Sequence, residues 1–303
     1  MAFNLQHVPP QSGRIAIVTG ANIGLGYETT LALAQKGATV IMACRDLQKA
    51  TKAKEALLLQ VPAARLDIML LNLGDLQSVR AFAKAYRDKY DRLDLLIENA
   101  AVMIPPFSKT KDGFESQFGM NYLGHFLLTN LLFPLLNTTA GARVITLSSN
   151  AHKRGKIDFD NLNAEKHYSK WGAYSQSKLA CLMFAYELQR RLHKAGSGVI
   201  AVSAHPGLSN TNLWQHVPKI IYNMLLPVSS LLMHGPQQAA LPTLMAALDE
   251  DVQGGSYIGP KGFKEFTGQP GLVRSIPASH DTAIAEKLWA VSEQMTGEPF
   301  LIG

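Results

Sequence analysis

A phenol and an amine lie four positions apart at Tyr174 and Lys178, within the run Tyr-Ser-Gln-Ser-Lys. Residues i and i+4 of a helix project from the same face, so both groups can enter one cleft. A tyrosine with a pKa near ~10 exchanges protons poorly at neutral pH, and a neighbouring ammonium is expected to lower that pKa by favouring the phenolate. The pair therefore indicates general acid–base chemistry on a substrate oxygen, although this spacing alone often arises by chance.

A glycine-rich segment, Thr19-Gly-Ala-Asn-Ile-Gly-Leu-Gly26, follows a short apolar run and opens a longer amphipathic one. Glycines let the backbone approach a diphosphate, and a helix N-terminus offers unpaired N–H groups and the positive end of its dipole. The spacing departs from the common G-x-G-x-x-G, and a tight packing turn is the alternative interpretation. The residues that we expect to contact a dinucleotide are Gly20, Asn22, Ile23, Gly24 and Gly26.

The next strand end reads Cys44-Arg45-Asp46. An acidic residue there would favour NAD by binding ribose hydroxyls, whereas an arginine accommodates the 2′-phosphate of NADP. Asp46 can instead cap the helix that follows. Arg45 therefore predicts NADP(H) as the cofactor.

Short apolar runs alternate with longer amphipathic segments along the chain. The runs predict seven strands at 14–19, 39–44, 66–71, 93–98, 143–148, 199–204 and 256–259, and the segments between them predict helices at 24–36, 47–60, 75–90, 112–136 and 171–195, with a last one after 281. The helix at 112–136 would begin with a capping box from Asp112 to Glu115. Strands that are apolar on both faces form parallel sheets covered by helices. We expect an α/β, doubly wound, Rossmann-type fold, with residues 1–303 in a single domain and 1–12 as an irregular lead-in.

The glycine spacing, the Ala-Cys-Arg-Asp run at 43–46 and the His-Pro-Gly run at 205–207 resemble the short-chain dehydrogenase/reductase family. These local sequences are most similar to the retinol-dehydrogenase-like branch of the family, and the resemblance extends over about residues 14–260. It implies an NADP(H)-dependent oxidoreductase that interconverts a carbonyl and an alcohol by hydride transfer. Tyr174 would be the acid/base, and Lys178 would also hold the nicotinamide ribose.

The resemblance implies further roles. Ser149 would bond the substrate oxygen, with Ser148 as the second choice, and Asn121 would support a proton relay behind Lys178. Further cofactor contacts would come from Asn72, Leu73, Asn99, Pro206, Gly207, Leu208 and Thr211. Glu98 and Ala101 depart from the family's usual Asn and Gly beside Asn99.

The segment 213–233 is mostly apolar and belongs to a stretch, 208–250, that we expect to form a lid on the substrate side. An apolar lid implies an apolar small-molecule substrate, although a packed helix pair would give the same pattern. Pro227 divides the run, which is too short for the ~20 residues of a membrane span.

Composition and charge exclude several other classes of function. The net charge is +6, but the lysines and arginines lie among acidic residues, which argues against nucleic-acid binding. No cluster of His, Cys and carboxylate residues has the spacing of metal ligands. Two cysteines and the lack of a secretory signal favour a cytoplasmic protein. By resemblance, a homo-oligomer could form through the helices near 113–136 and 171–195.

Two other functions fit parts of this pattern. One is a sensor that binds NADP(H) without turnover, which the complete set of Asn121, Ser149, Tyr174 and Lys178 argues against. The other is a carbon–carbon double-bond reductase similar to light-dependent protochlorophyllide reductase. That family resembles the first half of this chain, but the second half has no matching reactive cysteine.

Overall fold

The computed structural model describes residues 3–208 and 234–302, which form one eight-stranded sheet in the order β3-β2-β1-β4-β5-β6-β7-β8. The strands are β1 (Ile15–Thr19), β2 (Thr39–Cys44), β3 (Arg65–Leu70), β4 (Leu95–Glu98), β5 (Arg143–Leu147), β6 (Ile200–Ala204), β7 (Tyr257–Pro260) and β8 (Pro270–Leu272). The first seven strands pair in parallel, and β8 runs antiparallel to β7. The mostly parallel Rossmann-type sheet is confirmed, and the prediction of seven strands was wrong by one.

Most helices lie close to their predicted positions, but the helix expected at 112–136 is divided into two, and the helix at 236–248 was not predicted. The helices are α1 (Gly24–Gln35), α2 (Leu47–Gln60), α3 (Leu76–Lys89), α4 (Ser116–Phe118), α5 (Gly124–Thr138), α6 (Lys170–Lys194), α7 (Pro236–Leu248) and α8 (Thr282–Thr296). Aspartates cap three of them: Asp46 accepts from Lys49 N at 3.0 Å, Asp75 caps α3, and Asp281 caps α8. These carboxylates satisfy N–H groups that the helix itself leaves unpaired.

The predicted capping box at Asp112 is wrong. Glu115 itself caps α4, because its carboxylate accepts from the backbone N–H groups of Gln117 and Phe118 at 2.9 and 2.8 Å. Asp112 instead accepts from Leu76 N at 2.9 Å, at the start of α3. Between α4 and α5 the chain forms a π-helical segment, Gly119–Leu123. Such wide turns are rare and often occur at functional sites.

Two apolar cores cover the two faces of the sheet. On one face α8 lies over α6, and Trp289 packs edge-on against Phe126 at 5.2 Å between ring centroids. On the other face α1 packs against α7, and α2 covers β2 and β3. Residues Ala240 and Leu244 of α7, within the stretch 208–250 that we expect to form a lid, are buried in this core. The chain's own last helix therefore packs against α6, one of the two helices through which the resemblance implies that a homo-oligomer could form.

The lead-in before β1 is irregular apart from a single 3-10 turn at Leu5–His7. It is nevertheless packed, because Val8 is buried and its carbonyl accepts from Lys36 Nζ at 2.7 Å. Of the helices in 3–208 and 234–302, none combines the length and the apolar character needed to cross a membrane. Within the same two ranges, no group of three or more His, Cys, Asp and Glu residues could hold a metal ion.

Candidate active site

Tyr174 and Lys178 lie one turn apart on α6, and both are buried. The Lys178 ammonium lies 5.9 Å from the centre of the Tyr174 ring. It donates a hydrogen bond of 2.8 Å to the Leu147 carbonyl, at the carboxyl end of β5. The phenol and the amine therefore meet at the edge of the sheet where ligands bind in doubly wound folds.

The protonation states of this pair are governed by burial. Burial raises the pKa of Tyr174 to about 12, and the Ser149 side chain acts in the opposite direction. Burial also lowers the pKa of Lys178, against the raising influence of Cys181 and Glu98. The lowered phenol pKa expected from the sequence is thus not found, because desolvation outweighs the hydrogen bond with Ser149. Tyr174 is a protonated phenol at neutral pH.

The two serines after β5 have different surroundings. Ser148 is buried, and its hydroxyl donates to the Lys178 carbonyl at 2.8 Å. Ser149 is half-buried at the start of the 3-10 helix Asn150–Arg154, where its oxygen accepts from Ala151 N at 3.2 Å. The Ser149 hydroxyl therefore keeps its proton to donate, and Ser148 serves to hold α6 against β5.

Asn121 lies in the π-helical segment and is almost fully buried. Its amide accepts from Val102 N at 2.8 Å and donates to Val102 O at 2.9 Å. It also donates to the Ser177 hydroxyl at 3.0 Å, beside Lys178 on α6. Asn121 thus joins the loop after β4 to the helix that carries Tyr174 and Lys178.

The glycine turn leaves the start of α1 open. Residue Ile23 at the N-cap makes no side-chain hydrogen bond to the helix. A Cβ on Gly26 would lie 2.3 Å from the Gly20 carbonyl and 2.5 Å from Asn99 Nδ2, so only glycine fits there. The Asn99 amide holds the turn by donating to Thr19 O at 2.8 Å. An uncapped helix start next to a glycine-only backbone contact fits a diphosphate.

The ends of β2 and β3 lie side by side next to this turn. Arg45 is exposed there, while Asp46 caps α2 and lies 3.5 Å from Lys49. The Asn72 side chain accepts from Gly74 N at 3.1 Å, and Leu73 is buried. The Arg45 guanidinium is therefore accessible to an anion. The side-chain carbonyl of Asn72 already accepts a hydrogen bond within its own turn.

The turn after β6 contains Pro206, Gly207 and Leu208. Gly207 has φ 75°, and a Cβ on it would lie 2.3 Å from the Phe266 carbonyl. Leu208 N donates to that same carbonyl at 2.9 Å. Thr211 and the apolar segment 213–233 lie outside the described residues.

Sequence reasoning missed several buried groups behind Tyr174 and Lys178. Glu98, noted only as a departure, is buried at the end of β4 and accepts from Thr129 Oγ1 at 2.5 Å. Burial raises its pKa to about 8. His125 is also buried, with Nε2 at 2.9 Å from Thr19 Oγ1 and Nδ1 at 2.9 Å from the Asn121 carbonyl. A charged residue in an otherwise apolar strand was the one available signal for Glu98.

Comparison with known proteins identifies the family. A model of the short chain dehydrogenase family matches residues 14–220. The chain is 42% identical over 292 residues to mouse (Mus musculus) retinol dehydrogenase 13, covering 94% of this chain and 84% of that protein. Mouse retinol dehydrogenase 14 is 40% identical over 299 residues, with 94% and 86% covered. A crystal structure of an uncharacterized protein from Mycobacterium Paratuberculosis is 42% identical, with all of both chains covered and a TM-score of 0.84.

These matches agree with the site geometry, in which a glycine turn, a buried Tyr–Lys pair and strand-end serines meet at one edge of a parallel sheet. The chain belongs to the short-chain dehydrogenase/reductase family of oxidoreductases, in its retinol-dehydrogenase-like branch.

Proposed function

We propose that this chain is an NADP(H)-dependent oxidoreductase that interconverts a carbonyl and an alcohol on an apolar small molecule. The observation that carries the proposal is the placement of the Tyr174 phenol, the Lys178 ammonium and the Ser149 hydroxyl at the carboxyl edge of the sheet. The similarity to retinol dehydrogenases supports a hydrophobic alcohol or aldehyde as the substrate class.

The residues present fit the nucleotide. The glycine turn and the uncapped start of α1 would hold the diphosphate. Arg45 would bind the 2′-phosphate with paired N–H donors. Lys178 would hold the nicotinamide ribose, and the turn at 206–208 with Thr211 would hold the carboxamide. The bound nicotinamide supplies or accepts the hydride.

The side chains of this chain handle the oxygen and its proton. In reduction, the Ser149 and Tyr174 hydroxyls would both donate hydrogen bonds to the carbonyl oxygen, and Tyr174 would release its proton to it. With its pKa raised to about 12 by burial, Tyr174 carries that proton throughout the neutral range. Lys178 stabilises the phenolate that forms, and solvent would restore the proton by way of the region that Asn121 organises.

The first experiment is a screen of aldehydes, ketones, retinoids and steroids with NADPH and NADH, followed by absorbance of the reduced nicotinamide. Tyr174→Phe should then keep NADPH affinity within about twofold and lower turnover at least ~100-fold, because it removes the proton donor. Tyr186→Phe is the matched control, since this buried tyrosine of α6 bonds Ser275 instead. A Tyr174→Phe variant that turns over within tenfold of wild type would exclude the assignment, and NADPH binding without turnover across the panel would favour a sensor.

The choice of nucleotide has its own test. Arg45→Gln should weaken NADPH binding about tenfold or more and leave NADH binding nearly unchanged, since only NADPH carries the phosphate. Arg87→Gln, on the exposed side of α3, controls for the loss of one positive charge. Equal weakening of both nucleotides by Arg45→Gln would argue against a phosphate contact.

A further inference from the structure

The loop between β7 and β8 has an unusual backbone. Lys264 and Glu265 both have left-handed φ values, 48° and 58°. Residues with a Cβ seldom adopt this conformation, and two in succession persist only where surrounding contacts hold them. The long-range contacts of residues 264–266 lead to the edge of the sheet that carries the candidate active site.

The Glu265 carboxylate touches two separate parts of that site. Its Oε2 lies 2.8 Å from Lys153 Nζ, in the 3-10 helix that begins directly after Ser149. The same oxygen lies 3.5 Å from His205 Nε2, directly after β6. The Glu265 side chain is 23% exposed and the His205 side chain is fully buried, so water screens this group of charges only in part.

Hydrogen bonds to the backbone carbonyls of the loop hold it to the same two parts. Asn150 Nδ2 donates to the Glu265 carbonyl at 3.2 Å and to the Lys264 carbonyl at 3.4 Å. Leu208 N donates to the Phe266 carbonyl at 2.9 Å. Three consecutive residues in the middle of the loop are therefore fixed to the turn after Ser149 and to the turn at 206–208.

His205 lies between Glu265 and the 206–208 turn. Gly207 N donates to His205 Nδ1 at 3.3 Å, so Nδ1 is the acceptor and the proton of the neutral imidazole lies on Nε2, which is 3.5 Å from Glu265 Oε2. Burial lowers the pKa of His205, whereas Glu265 raises it. Lys153, His152 and Tyr257 are the other titratable groups close to this ring.

We propose that Glu265 is a positioning residue whose negative charge holds the turn at 206–208 in place relative to Ser149. Its carboxylate keeps the His205 proton on Nε2 and so keeps Nδ1 free to accept from Gly207. The consequence for catalysis rests on the proposed function, in which this turn binds the nicotinamide end of the cofactor. His205 is then a link between Glu265 and the turn, not a general base.

The first test needs no nucleotide. Hydrogen–deuterium exchange at the Gly207 and Leu208 amides is compared in wild type, Glu265→Gln and Glu265→Asp. The control is Asp88→Asn, which breaks an exposed Lys84–Asp88 ion pair on α3 and removes the same charge. We expect at least fivefold faster exchange in Glu265→Gln, partial recovery in Glu265→Asp and no change in the control. Unchanged exchange in Glu265→Gln would overturn the proposal.

The second test measures NADP+ affinity by calorimetry between pH 5 and 8. Glu265→Gln should weaken binding about fivefold to tenfold at pH 7.5. Because the pKa of His205 falls when the carboxylate is removed, the loss of affinity on the acid side should also move to lower pH, whereas Asp88→Asn should follow wild type. The proposal would be overturned if wild type binds NADP+ and Glu265→Gln binds it with the same affinity and the same loss of affinity at acid pH. If wild type binds no nucleotide, the proposed function fails and the exchange result alone decides the role of Glu265.

Discussion

Glu98 offers a quantitative test of the structure, independent of any substrate. It is buried at the end of β4, and burial raises its pKa from 4.5 to about 8, against the lowering influence of Thr129 and Lys178. Replacing Glu98 with Gln removes the ionisable group and keeps a side-chain oxygen that can accept from Thr129. The variant should therefore be more stable than wild type wherever the unfolded glutamate is ionised.

The sign and the size follow from the two pKa values. Well below pH 4.5 the Glu98 carboxyl group is protonated in both the folded and the unfolded chain, so its ionisation does not affect the free energy of unfolding. As the pH rises toward 8, the unfolded chain loses this proton while the folded protein keeps it, so wild type loses stability. At ~1.36 kcal/mol per pKa unit, the stability advantage of Glu98→Gln should grow by ~3 kcal/mol between pH 5 and pH 8.

The assay is urea unfolding followed by circular dichroism at pH 5, 6, 7 and 8. Glu55→Gln, on the exposed side of α2, is the matched control and should stay parallel to wild type at every pH. The reasoning would be refuted if the difference between Glu98→Gln and wild type changed by less than ~1 kcal/mol over this range, or if it grew toward acid pH.

Three further predictions concern the elements that shape the site. Gly26→Ala should abolish nucleotide binding in calorimetry and lower the thermal midpoint, because its Cβ would clash with the Gly20 carbonyl and the Asn99 amide; a variant that still binds would contradict the close contact. Asp75→Ala should cost ~1 kcal/mol in urea unfolding through loss of the α3 cap, and an unchanged midpoint would show that the cap is not needed. Ser148→Ala should lower stability by ~1 kcal/mol and leave turnover within about threefold, because its hydroxyl donates to the Lys178 carbonyl within the core; a large loss of turnover would reassign the substrate hydroxyl to Ser148.

Much of the fold was predictable because its signals are local. Parallel strands are buried on both faces and therefore appear as unbroken apolar runs, as at 39–44, where the prediction matches β2. Asp46, Asp75 and Asp281 are short acidic side chains in front of helices, and each one is a cap in the structure. The Tyr174 and Lys178 pair was also within reach, because a fixed spacing on a helix determines a shared face.

The misses depend on contacts between distant segments. Strand β8 consists of Pro270, Gly271 and Leu272, which have little strand propensity, and it forms only because β7 lies beside it. From the sequence, Glu115 could be the last residue of a capping box that begins at Asp112, or it could itself be the N-cap. The outcome depends on Asp112, which accepts a hydrogen bond from Leu76 of another helix. The raised pKa of Tyr174 results from complete burial of the phenol in the folded chain, and residue spacing along the sequence cannot predict that burial.

The hydrogen bond from Lys178 to the Leu147 carbonyl has a consequence for the thermodynamics of ligand binding. Lysine has a four-carbon side chain that normally samples many rotamers, and ordering it when a ligand arrives costs up to ~2 kcal/mol in entropy. Here folding has already immobilised the side chain against the end of β5. A ribose that reaches this ammonium would meet a preorganised donor, so little of its binding enthalpy would be offset by side-chain ordering.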